Sequence, residues 1–265
     1  MQKIYTYWCA FWFIALFLVL FPFFWLFLLQ KSWHRYAHKL NRIWGKIFFP
    51  ICGIRFSFDY RFKPEKHQTY VFVSNHTSYV DIAIMGVLIN NFYVFIGKKS
   101  ITKVPLFGYM FKKLHLPVDR SDAESSYKTY QKSLQFLEEG RSMMVFIEGG
   151  IKTKNPPFLH LPLKDGAFRM AVEKQIPIVP ITFPYNWVIL PDKKKLLFQR
   201  HVLQATVHEP IETKGLTSAD IEMLMLKTYN LITDELGKYY PEKKEKEQAE
   251  NKPVTAKAGS LKEIK

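Results

Sequence analysis

The apolar and polar positions of the chain divide it into four stretches. Residues 8–29, WCAFWFIALFLVLFPFFWLFLL, carry no charge. As one helix this run would be about 33 Å long, against a hydrocarbon core of about 30 Å. Pro22 would break a soluble helix but is tolerated in lipid. A secretory signal has a shorter apolar core and a small-residue cleavage site; this run instead ends in Leu-Leu-Gln-Lys-Ser-Trp. Residues 1–30 are therefore expected to form one transmembrane or membrane-anchor helix. Residues 31–50 interleave Trp33, Tyr36 and Trp44 with Lys31, Arg35, Lys39, Arg42 and Lys46. That pattern suits a basic helix lying at headgroup level.

From residue 51 to 240 short β-rich runs alternate with helical ones. Segments 54–60, 69–74, 92–96, 114–118, 143–147, 176–182 and 202–208 read as strands, and 69–74 is nearly continuously apolar, as in a central buried strand. Segments 81–88, 122–139, 167–173 and 218–236 read as helices, with Gly140 closing the second. This alternation predicts an α/β fold layered around a mostly parallel or mixed sheet. Residues 82–96 are too short and too polar, with Asn90 and Asn91, for a second span. The last stretch, 241–265, holds seven lysines, five glutamates and no aromatic residue, and its composition predicts disorder.

Charge narrows the partners. Lysine plus arginine number 38 against 23 acidic residues, a formal +15, which favours nucleic acid, an acidic membrane or a phosphorylated substrate. The apolar start and the lack of any nucleic-acid motif set the first aside. Only Lys3 precedes the apolar run and five bases follow it, so the positive-inside tendency puts the domain in the cytoplasm on a single-pass anchor, at the cell inner membrane or another cytoplasm-facing membrane. Two cysteines make no disulfide framework. There is no His-Glu-x-x-His or zinc-spaced cluster, no Gly-x4-Gly-Lys-Ser/Thr loop and no Gly-x-Gly-x-x-Gly fingerprint, so no metal, nucleotide or dinucleotide is expected.

Three clusters could carry chemistry. In VFVSNHTSYVD, residues 71–81, a buried strand ends and delivers His76 and Asp81 to a loop–helix junction, where sites of open α/β sheets gather. Residues five apart diverge by about 140° on a helix, so the two meet only with His76 in the turn and Asp81 in the first helical turn. Asp81 would then fix the imidazole tautomer and leave the other nitrogen to take a proton from a hydroxyl. A capping histidine without catalytic work is the competing reading. FIEGGIKTK, 146–154, again follows a strand: Gly149 and Gly150 suit an anion nest, Lys152 or Lys154 could add charge, and Glu148 would hold a basic partner. A plain surface turn explains that loop as well. In LHLPVDR, 114–120, Arg120 offers a fork suited to phosphate, with Asp119 to orient or neutralise it, while His115 reads as a core residue. Lys98 and Lys99 could face the same crevice.

These blocks together resemble the glycerolipid acyltransferase family. NHTSYVD at 75–81 is similar to its Asn-His-x4-Asp block; GKKSITKVPLFGYMFKKLHLPVDR at 97–120 to its second, with Gly108 and Arg120 in place; FIEGG at 146–150 to its third; and IPIVPITF at 176–183 to its fourth, centred on Pro180. The resemblance covers residues 50–210. It implies transfer of a fatty acyl group from acyl-CoA or acyl-acyl carrier protein, as co-substrate, to a lysophospholipid hydroxyl at a membrane, with acyl carrier protein a partner in the second case and no bound cofactor. His76 would be the base and Asp81 its partner. Arg120, Glu148 and Gly149, with Lys98 and Lys152 in support, would form the phosphate site, and Pro180 would shape the acyl region. Where the family reads Phe-Pro-Glu-Gly-Thr-Arg, this chain has Gly150-Ile151 in place of Thr-Arg. The first acceptor implied is 1-acyl-sn-glycerol-3-phosphate; the departure leaves room for a lysolipid with an amino-acid head group, or for a non-catalytic binder of anionic lipid.

Overall fold

A computed structural model describes residues 1–193 and 195–245. Among them the strands are β1 (Phe56–Tyr60), β2 (Val71–Ser74), β3 (Tyr93–Lys98), β4 (Leu116–Val118), β5 (Ser142–Phe146), β6 (Ile178–Thr182) and β7 (Leu203–Val207). They form one sheet in the order β1-β7-β6-β2-β5-β3-β4. Every pairing is parallel except β6 with β7, so the predicted mixed α/β layering holds. The helices are α1 (Gln2–Phe27), α2 (His34–Ile51), α3 (Val80–Leu88), α4 (Phe107–Leu114), α5 (Ala123–Glu138), α6 (Gly166–Lys174), α7 (Asn186–Ile189) and α8 (Ile221–Tyr239).

β2 shows why the sheet is the middle layer. Its four residues are all buried, and their side chains alternate between the faces. Phe72 joins one core with α1 to α4, and Val71 and Val73 join another with α5, α6 and α8. Burying such side chains contributes roughly 1.5–3 kcal/mol each.

The α4 helix was not foreseen, because the basic 97–120 segment has no long apolar period. Its entry is tight: Leu106 adopts φ 59°, and a Cβ on Gly108 would lie 2.4 Å from the carbonyl oxygen of Thr102. Beyond Tyr240, residues 241–245 form a further helical turn rather than the expected disorder. Lys243 lies 4.4 Å over the Trp187 ring and Lys244 pairs with Asp234 at 2.9 Å, so these lysines have partners that composition cannot reveal. The remainder of the predicted disordered tail, 246–265, lies outside the described residues.

Helix α1 is long and apolar enough to cross a membrane, with a mean hydropathy of 2.4 over its most apolar window. It lies antiparallel along α2 and touches the domain near its start and its middle. Tyr5 Oη donates to the Cys52 carbonyl at 2.8 Å, Phe198 N–H donates to Thr6 Oγ1 at 3.0 Å, and further along Phe17 meets Trp44 and Phe107. Its outer face exposes Phe11, Ile14, Leu18 and Trp25, and exposed Ile43, Ile47, Val104 and Leu106 add to this surface from α2 and the 104–106 loop. Of the five bases expected at the headgroups, Arg42 turns inward instead, donating through Nε to the Gly86 carbonyl at 3.1 Å and through its terminal nitrogen to that of Ile89. There it satisfies the last carbonyls of α3.

Candidate active site

Parallel pairing brings the carboxyl ends of β2, β3, β4 and β5 to one edge of the sheet, and each strand delivers a residue there. His76 follows β2, Lys98 ends β3, Arg120 follows β4, and Glu148 and Gly149 follow β5. The loop after β6 leads to Asn186.

His76 Nδ1 and Asp81 Oδ2 are 2.9 Å apart. The same Oδ2 accepts the backbone N–H groups of Thr77 at 2.8 Å and Ser78 at 2.9 Å, and Oδ1 accepts Asn186 Nδ2 at 2.7 Å. Asp81 is fully buried in the first turn of α3. With four donors converging on an acceptor-only carboxylate, Nδ1 of His76 carries the proton and the Nε2 lone pair is left free. No described residue bonds Nε2. The ring lies flat on Phe146, centroids 3.8 Å apart at 12°, which limits its rotation.

Glu148 is fully buried. It accepts the His76 backbone N–H through Oε1 at 2.7 Å and the His160 backbone N–H through Oε2 at 2.8 Å. It therefore clamps the backbone of the histidine. Asn75 fixes the same turn from the other side, donating to the carbonyls of Pro157 and Phe183 and accepting the Phe183 N–H at 2.9 Å.

Arg120 donates to the carbonyl of Gly149. A Cβ on Gly150 would lie 3.4 Å from that guanidinium, and Gly150 has φ 150°, Gly149 φ 73°, so glycine at both positions lets arginine and loop close on each other. The Lys152 ammonium comes within 3.9 Å, and the Lys164 stem within 3.2 Å, of where a Gly149 Cβ would stand. Lys164 has no local sequence signal; it is brought in by its N–H bond to the Ile147 carbonyl at 2.7 Å. Asp119 does not engage Arg120: its Oδ1 accepts Ser121 Oγ at 2.6 Å. Among the described residues no three His, Cys, Asp or Glu side chains cluster to hold a metal.

A cavity of about 670 Å³ opens at this edge and runs between the sheet and α1, α2, α3 and α4. His76, Lys98, Arg120 and Gly150 line one part, and Phe13, Ile14, Trp44 and Phe48 line another. Pro180 is not in its lining; it sits in β6 opposite Val73, and the apolar wall comes from α1 to α4, β3 and Phe146.

An acyltransferase family model matches residues 58–184. An uncharacterised acyltransferase of Schizosaccharomyces pombe is 34% identical over 187 residues, 67% of this chain and 66% of that protein. The chain belongs to the glycerolipid acyltransferase family. Another member, the 1-acyl-sn-glycerol-3-phosphate acyltransferase of Saccharomyces cerevisiae, is 28% identical over 204 residues, 75% of this chain and 67% of that protein. This chain thus spans about two thirds of the length of these two relatives. The family fold is also that of the crystal structure of the 1-acyl-sn-glycerophosphate acyltransferase PlsC from Thermotoga maritima: TM-score 0.72 over 90% of this chain and 98% of that one, at 20% identity.

Proposed function

We propose that this protein transfers a fatty acyl group from a thioester, acyl-CoA or acyl-acyl carrier protein, to the free hydroxyl of a lysophospholipid, first of all 1-acyl-sn-glycerol-3-phosphate, giving phosphatidic acid. The observation that carries this reading is the 2.9 Å His76–Asp81 contact at the wall of a chamber that is basic in one part and apolar in another. The acceptor hydroxyl oxygen attacks the thioester carbon while His76 Nε2 takes its proton. As the tetrahedral intermediate collapses, the C–S bond breaks and the imidazolium returns the proton to the thiolate. Such positioned proton transfer contributes about 10²–10⁴-fold. No bound cofactor enters these steps.

Arg120, Lys98 and Lys152 supply the positive charge for the acceptor phosphate, and the apolar chamber takes the acyl chain. The apolar face of α1 and α2 rests in the membrane with exposed Lys31, Arg35, Lys39 and Lys46 toward the cytoplasmic headgroups, so acceptor and product need not leave the lipid. A second reading, an acceptor with an amino-acid head group, is favoured by Asp192, an acid lining the same cavity beside Tyr79. Membranes carrying the protein, given labelled acyl donors and a panel of lysolipids, test both. Acylation of the glycerol phosphate lysolipid supports the first, acylation of an amino-acid lysolipid alone supports the second, and transfer to none refutes the activity.

A further inference from the structure

Two segments hold the surroundings of His76 and Asp81, and both are gripped a second time by the turn that follows α8. The first lies in the loop after β5. There the Pro157 carbonyl accepts Asn75 Nδ2 at 3.1 Å, and the carbonyl of the preceding residue, Pro156, accepts Lys243 Nζ at 2.7 Å. The second, 183–187, follows β6. In it the Phe183 carbonyl accepts Asn75 Nδ2 at 2.9 Å, Asn186 Nδ2 donates to Asp81 at 2.7 Å, and the Pro184 carbonyl between them accepts Tyr240 Oη at 3.2 Å.

Aromatic contacts join the two grips. Trp187 Nε1 donates to the same Pro184 carbonyl at 3.1 Å and to Tyr240 Oη at 3.3 Å. The Lys243 ammonium lies 4.4 Å from the centre of the Trp187 ring and 5.4 Å from that of Tyr240. A cation in that position is attracted by the ring faces, and a charged donor makes a stronger hydrogen bond than a neutral one. Half-buried Lys243 therefore bridges the segments: its Nζ bonds one, and its charge sits over the tryptophan of the other. Tyr240, Lys243 and Trp187 are all absent from the lining of the cavity.

We propose that Tyr240 and Lys243 are positioning residues for the base: the turn after α8 locks segments 156–157 and 183–187 together and, through Asn75 and Asn186, keeps His76 and Asp81 in register. The inference rests on the acyl-transfer reading of the site. Each carbonyl that the turn holds is one residue from a carbonyl that Asn75 uses. Pro156, Pro157 and Pro184 have φ fixed by their rings, so a displacement at one carbonyl is passed to the next rather than absorbed by backbone rotation.

Full-length protein in nanodiscs is compared with Lys243→Met, which keeps the bulk of the stem and removes charge and donor, and with Lys243→Arg and Tyr240→Phe. Lys244→Met is the control, because Lys244 pairs with Asp234 on α8 itself. Lys243→Met should lower kcat roughly 10–100-fold, the size of effect that a small misplacement of a reacting group produces, with acceptor KM nearly unchanged. Lys243→Arg should recover most of the rate, Tyr240→Phe should cost less than Lys243→Met, and Lys244→Met should match the wild type. In ¹⁵N-histidine NMR spectra, His76 should show one tautomer in the wild type and a mixture in Lys243→Met. Wild-type kcat in Lys243→Met, whatever its melting temperature, would overturn the positioning role, as would an equal loss in Lys244→Met. If the wild type acylates no lysolipid, the acyl-transfer reading fails and the spectra decide this inference alone: a His76 signal unchanged in Lys243→Met overturns it, and a mixed tautomer upholds it.

Discussion

Glu148 accepts the backbone N–H of His76 at 2.7 Å. This bond ties the loop after β5 to the loop after β2, so the residue read as a phosphate ligand also fixes the main chain of the base. The Glu-Gly pair thus acts on both halves of the site: the carboxylate positions His76, and the Gly149 carbonyl receives Arg120.

Glu148→Gln keeps the shape but turns one acceptor oxygen into a donor facing a backbone N–H. Leaving a buried donor unpaired costs about 1–3 kcal/mol. Thermal denaturation should show a lower melting temperature, and kcat should fall because the base is less well held. Unchanged kcat, acceptor KM and melting temperature would remove Glu148 from the site.

Asn186 holds the far oxygen of Asp81 at 2.7 Å. Asn186→Leu removes a hydrogen bond to a charged group, of a kind that contributes about 1.5–3 kcal/mol. With less constraint on the tautomer and angle of His76, kcat should drop roughly 10–100-fold while acceptor KM stays nearly constant. Steady-state kinetics over a range of acceptor concentrations separates the two parameters; a rise in KM alone would contradict the relay.

At Gly108 a Cβ would stand 2.4 Å from the Thr102 carbonyl oxygen and 2.6 Å from its carbon. These are backbone atoms and cannot rotate away, so Gly108→Ala must move the 3₁₀ turn Lys99–Lys103. The expected cost is about 1–3 kcal/mol, seen as a fall of about 2–4 °C in melting temperature per kcal/mol. Lys98 immediately precedes this turn, so acceptor KM should rise as well.

Acid should destabilise the fold before its carboxylates are titrated. His208, 2% exposed, has its pKa pushed down from 6.5 to about 4, first by burial and then by the Arg61 guanidinium, which approaches Nδ1 at 3.3 Å. The unfolded chain binds the proton more readily, so the stability held by the neutral ring is complete above pH 6.5 and is lost as pH falls toward 4. Melting temperatures measured across that interval should decline, and less steeply in His208→Gln. Parallel curves for the two proteins would contradict this assignment.

Local patterns carried much of this structure. The nearly unbroken apolar run before His76 marks the central strand, and the turn-forming Asn, Thr and Ser around it place the pair on either side of a helix start. The partners of that pair were not legible. Asn186 lies 105 positions from Asp81, and only the parallel arrangement of β2 and β6 brings its loop near. The lining of the cavity was not legible for a similar reason: Pro180 is conspicuous in sequence, but register puts it opposite Val73, whereas Phe13 and Ile14 reach the cavity because α1 lies along the domain. Arg42 looks like any other base in its stretch, and only the end of α3 explains why it faces inward.

The central claim is that the Asp81-held imidazole of His76 is the base. The most direct measurement is the initial rate of acyl transfer to lysolipid by purified His76→Ala, at saturating donor, beside its thermal denaturation curve. The predicted result is a loss of about 10²–10⁴-fold in a protein that still melts cooperatively. A folded variant that transfers acyl groups at the wild-type rate would contradict the account.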